Sequence, residues 1–100
     1  MNKFDYTQIP EIMRPGLLRY VNKGVIPGDF LQAIITNDLR GACSYADDDN
    51  IEILPVYIMW LVNCVPGGCF GSPAQMKYWH SEGGLEGLMN QSLTMEAFEK

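Results

Sequence analysis

The sequence predicts an all-α protein, a compact bundle of about four to five short helices. Three observations carry that expectation. Apolar residues recur at helical spacing, most clearly in Phe30, Leu31, Ile34, Ile35 and Leu39. Helix start and stop signals punctuate the chain, with Ser72-Pro73 the strongest start and Gly24 and Gly83-Gly84 the clearest stops. No run alternates apolar and polar residues between hairpin turns, the pattern of a half-buried strand.

The first element lies within Ile9 to Lys23, where Ile12, Met13, Leu17, Leu18 and Val21 form the apolar stripe. Pro15-Gly16 interrupts it. Proline suits a first helical turn because its missing N–H has no partner there anyway, so the helix proper is expected to begin near Arg14. The second element starts after Pro27-Gly28. Asp29 and Gln32 stand at capping-box spacing, and the helix is expected to end at Gly41 or run on to about Ala46.

Asp47-Asp48-Asp49-Asn50 places carboxylates where the next helix begins, with Asp49 and Glu52 as a second possible box. That helix is expected to reach about Cys64, with Pro55 either kinking it or marking its true start. It is apolar on every side from Val56 to Val62, which points to burial in the core or in a contact between subunits. Ser72-Pro73-Ala74-Gln75 then opens a fourth helix carrying Met76, Tyr78 and Trp79. Residues 1–82 are expected to form the helical domain, and 83–100 a C-terminal tail or short, weakly docked helix. The expected core includes Ile34, Ile35, Leu39, Ile58, Met59 and Leu61.

Charge excludes some function classes. The chain of 100 residues carries a formal net charge of −5, and its seven basic residues are dispersed, no two adjacent. General nucleic-acid binding and anionic membrane surfaces both require clustered Lys and Arg. The longest apolar stretch, Ile53 to Val62, is far short of the ~20 residues of a membrane span. Met1 to Tyr6 lacks an apolar signal-peptide core, and Cys43, Cys64 and Cys69 make an odd count, so free thiols in a cytoplasmic setting are expected.

The chemical motifs are sparse. Cys64, Cys69, Cys43 and His80 supply soft ligands but only one closely spaced pair, so no metal site is expected. Cys69, in a glycine-rich loop before a helix start, is a candidate for a depressed thiol pKa, but His80 lies too far along the helix to act as its base. The Asp47 run fails the calcium-loop pattern, with Glu52 at its sixth position and Ile58 at its twelfth. No catalytic residue and no cofactor emerge.

Two glycine-bearing loops lead into helix starts. The segment Gly67 to Tyr78 has no carboxylate and carries Lys77, so it is the better candidate for a small anion such as a nucleotide. Its candidate ligand-binding residues are Phe70, Gly71, Ser72, Lys77, Tyr78 and Trp79, with the helix start holding phosphate and an aromatic stacking a base. Met59 and Trp60, on the all-apolar helix, are the candidates for a homo-oligomer contact.

Ile9-Pro10, Leu18-Arg19-Tyr20-Val21, Gly24, Pro27-Gly28-Asp29-Phe30-Leu31, Ala33, Asn37-Asp38-Leu39, Ala42, Ala46-Asp47, Asn50 and Cys69-Phe70-Gly71-Ser72-Pro73 together resemble small accessory proteins of tailed bacteriophages. The resemblance implies a non-enzymatic product acting stoichiometrically in bacterial cytoplasm. Counter-defence by sequestering a nucleotide, or occlusion of a host protein through an acidic surface, is the corresponding expectation.

Overall fold

The computed structural model describes residues 5–99, so residues 1–4 and 100 of the expected domain and tail lie outside the described residues. It is all-α, with no strand among the described residues. The helices are α1 (Arg14–Lys23), α2 (Asp29–Ile35), α3 (Leu39–Tyr45), α4 (Asp48–Glu52), α5 (Leu54–Cys64), α6 (Pro73–Glu82) and α7 (Gly84–Met89). Short 3-10 turns at Tyr6–Gln8, Gly67–Cys69 and Met95–Phe98 fill the connections and the chain end. Among the described residues no helix is long and apolar enough to cross a membrane.

Most boundaries follow local chemistry. α1 begins at Arg14 with Pro15 in its first turn and ends at Gly24, in the left-handed region at φ 71°. The Ser72 hydroxyl accepts from the Gln75 N–H at the start of α6. Pro55 marks the true start of α5 rather than a kink. Two capping expectations are corrected. Gly28, not Asp29, caps α2, and the Gln32 side-chain amide donates to the Pro27 carbonyl. Asp47 caps α4 by accepting from the Asn50 N–H, in place of the Asp49–Glu52 box.

The expected long second helix is two helices. Thr36 returns its hydroxyl to the Gln32 carbonyl, and Asn37 adopts φ 63°. Asp38 then turns its carboxylate onto the Gly41 N–H and begins α3. Side chains that bond their own backbone compete with helix continuation, and Thr36 and Asp38, on either side of the left-handed Asn37, end it.

The core gathers around Trp60, Tyr20, Tyr57, Phe98 and Ile9, with Leu17, Val21, Ile35 and Leu61 between them. Each of its four largest side chains is also anchored. The Tyr20 hydroxyl donates to the Cys69 carbonyl at 2.6 Å, and the Tyr57 hydroxyl to Asn50 Oδ1 at 2.7 Å. The Trp60 indole donates to the Ala97 carbonyl while its ring stacks on Phe98, centroids 5.0 Å apart. Among the described residues no buried side-chain N or O atom lacks a partner.

Of the two forms expected for the C-terminal segment, it takes the short docked helix, α7, and it packs firmly. Phe98 is in the core, and α7 lies along α1 with Leu85 buried. Asn22 holds the connection after α7 from both sides, donating to the Leu93 carbonyl at 2.8 Å and accepting from its N–H at 2.6 Å. The buried set is corrected as well. Ile34, Ile35 and Leu61 are buried, Met59 is half-buried, and Leu39 and Ile58 are exposed.

The junction of α1 with α6 and α7 is set by two glycines. A Cβ on Gly84 would lie 2.6 Å from backbone atoms of Asn22, Lys23 and Gly24, and Gly84 sits at φ 71°. Gly84→Ala is expected to cost ~2–4 kcal/mol, since overpacking and a left-handed backbone penalty act together. Gly67→Ala, whose Cβ meets nothing within 4 Å, serves as the near-neutral control in the same urea titration.

Candidate functional site

The helix α5 has two apolar faces. Val56, Tyr57, Trp60 and Leu61 point into the core. Pro55, Ile58, Met59 and Val62 recur at helical spacing on the other side, and Ile58 and Val62 are 41% and 56% exposed. Across from them stands Leu39, the first residue of α3 and 69% exposed.

Leu39, Pro55, Ile58 and Met59 line a continuous groove between α2–α3 and α5. An open depression of about 310 Å³ is walled by Leu39, Leu54, Pro55, Ile58 and Met59. A narrow crevice beside it reaches Ala33, Ala42 and Asp38, again against Leu39 and Ile58. A third hollow of about 170 Å³ runs from Ile58 and Ile34 to Phe70 and Gly71. Ile58 is common to all three. The close approach of α2 and α3 shapes the near wall. A Cβ on Gly41 would collide with the Asp38 carboxylate and stand 3.3 Å from the Ala33 methyl. Small residues at that seam keep α3 tight against α2 and leave Leu39 outside it.

The surroundings are acidic. From Asp38 to Val62 the chain carries five carboxylates and one base, Arg40, a net −4 of the total −5. Asp38 and Asp47 are occupied as caps, while Asp48, Asp49 and Glu52 are exposed on α4, just before Leu54. A second cavity, about 320 Å³, lies where α1 meets the Pro27-Gly28 loop, with Met13, Gly16, Arg19, Asp29 and Phe30 in its wall.

The six residues expected to bind an anion do not converge. Phe70 and Gly71 line the groove's far hollow. Gly71 donates its N–H to the Ile35 carbonyl at 2.7 Å, and Ser72 spends its hydroxyl on Gln75 and its carbonyl on Met76. Pro73 has no N–H, so Ala74 is the amide left at the first turn of α6. Lys77 and Tyr78 are exposed on α6 and do not line this hollow. Trp79 is corrected from a stacking platform to a core residue, 3% exposed, its indole donating to the Tyr20 and Val21 carbonyls at 3.1 and 3.0 Å. At φ 118°, Gly71 also strains any substitution, so Gly71→Asp is not a clean probe of anion binding.

Trp60 is corrected in the same way. It is fully buried within one chain and offers nothing to a second copy, whereas Met59 does border the groove. A helix apolar all round does not reveal which side a fold will cover. The exposure of Leu39 and Ile58 was missed for that reason, although Thr36-Asn37-Asp38 was a readable break that sets Leu39 in a first turn.

Cys64 and Cys69 are shielded by the fold. Burial pushes the Cys69 thiol up to about 12, opposite to the depressed value expected from its loop. Burial also raises Cys64, partly offset by a hydrogen bond with Tyr6. His80 Nδ1 lies 2.7 Å from the Gly24 carbonyl, which only accepts, so that nitrogen carries the proton. Among the described residues no three metal-binding side chains cluster. Compared with known proteins, the chain matches no family model, no curated relative and no solved structure.

The two faces of α5 are expected to respond differently to truncation. Leu61→Ala, on the core side at 2% exposure, should cost ~2–5 kcal/mol, and Ile58→Ser about 1 kcal/mol or less by chemical denaturation. Stability should also fall at alkaline pH. The folded state holds the Cys69 proton more tightly than the unfolded chain, so this contribution is full below the usual thiol value of 9.0. It is lost as pH rises toward about 12, and the raised Tyr20 and Tyr57 hydroxyls act in the same direction. Urea midpoints from pH 8 to 11 should decline, less steeply in Cys69→Ala.

Proposed function

We propose that this chain is a non-enzymatic binding protein that acts stoichiometrically, by docking a protein partner into the groove beside α5. One observation carries the reading. Leu39 and Ile58 stay exposed on one apolar groove with Leu54, Pro55 and Met59, while the opposite face of α5 fills the core. Apolar side chains exposed together around a groove mark an interaction surface more often than scattered ones do. Occlusion of a host protein in bacterial cytoplasm, as the resemblance to small phage accessory proteins implies, is the use proposed for it.

Sequestration of a small anion at the start of α6 is the second reading. It is favoured by the absence of carboxylates between Gly67 and Tyr78. Against it, the Gly71, Gln75 and Met76 amides are committed within the fold, with Ser72 and Ala74 remaining. Self-association is a third use of the same apolar face.

Native mass spectrometry of the chain purified from bacterial cells separates these readings. The expected result is a protein partner in fixed ratio, lost in the Leu39→Ser/Ile58→Ser double variant, whose positions are exposed enough to leave folding intact. A partner retained by that variant, or a bound nucleotide in place of a protein, overturns the proposal.

A further inference from the structure

Resting on the groove reading above, we infer that the occupant is a basic amphipathic helix from another protein. Its apolar side chains fill the hollows around Ile58, and its Lys and Arg side chains face the carboxylates of α4.

Charge selects the partner. The groove borders the part of the chain that holds nearly all of its net negative charge. Asp48, Asp49 and Glu52 are exposed in the helix that leads directly into the groove wall at Leu54. A cationic partner gains steering and rim contacts there, while an acidic one is repelled. The same argument disfavours a second copy. A two-fold contact would bring the two acidic segments together, with Arg40 as the base that segment offers in return.

Geometry selects the helix. Binding by strand addition needs a sheet edge, and there is no strand among the described residues to supply one. The groove is instead walled by helices, and Leu39, Leu54, Ile58 and Phe70 succeed one another along it. Such a surface accepts one more helix, read through apolar anchors three, four and seven residues apart. The depth changes from an open apolar depression at Pro55 to a hollow at Gly71, so successive anchors meet pockets of different size.

The test is selection of a displayed library of random helix-forming peptides on the full chain. Enriched peptides should combine Lys and Arg with apolar residues at helical spacing, and should bind more weakly as salt rises. Leu39→Ser/Ile58→Ser should weaken them by about tenfold or more. Asp48→Asn/Asp49→Asn/Glu52→Gln, which leaves the Asp47 cap in place, should weaken them and flatten the salt dependence. Enrichment of neutral or acidic peptides that still need Leu39 and Ile58 overturns the basic partner but leaves the groove as a docking surface. Sedimentation showing a dimer that Ile58→Ser dissociates does the same, in favour of a second copy. Binders indifferent to Leu39 and Ile58, or no enrichment at all, overturn both the inference and the groove reading.

Discussion

The end of α1 and the turn between α6 and α7 approach so closely that neither Gly24 nor Gly84 has room for a side chain. Both sit in the left-handed region at φ 71°, and a Cβ on either would fall within about 3 Å of the other's backbone or its neighbours'. That approach brings α6 onto the last carbonyls of α1, which a helix leaves without intrahelical partners. Trp79 donates to Tyr20 and Val21, and His80 donates to Gly24. Asn22, one turn from the same end, then fixes Leu93. From that anchor the chain returns Phe98 to stack on Trp60. One backbone contact thus organises α1, α6, α7 and the chain end. The exposed Lys23–Glu86 pair at 3.6 Å adds little to it.

The same economy explains why α5 can be apolar on both sides. The core needs only its Val56, Tyr57, Trp60 and Leu61 face, which α1, α2 and the returning Phe98 complete. A domain of 100 residues has too few helices to surround one of them fully. The remaining apolar face reaches solvent beside α3. Burying that face on a partner is favourable without any change in the core, because the two faces are separated by the width of the helix.

Polar groups show the division of labour between fold and surface. Inside, Asn50 partners Tyr57, and Tyr20 meets the Cys69 carbonyl, so burial carries no unmet hydrogen bond. Outside, Asp48 and Asp49 in the first turn of α4 favour the start of that helix and remain exposed to solvent.

Helical class, the starts of α1 and α6 and the stop at Gly24 were legible in the sequence, while Pro55 was legible only as either a kink or a start. Each depends on backbone groups and side chains within a turn of one another. The dispersed bases and the Asp47-Asp48-Asp49 run were legible for the same reason, since charge needs no partner to be counted. Which aromatic side chains face water was not legible. Trp60 and Trp79 lie on helices whose composition is equally apolar or mixed around the axis, and their burial follows from Phe98 and Tyr20, 38 and 59 positions away. The exposure of Leu39 and Ile58 likewise depends on how closely α2 and α3 pack at Ala33 and Gly41. Periodicity marks a face as apolar, but covering that face is a contest between distant segments for a limited interior, and only the tertiary structure decides it.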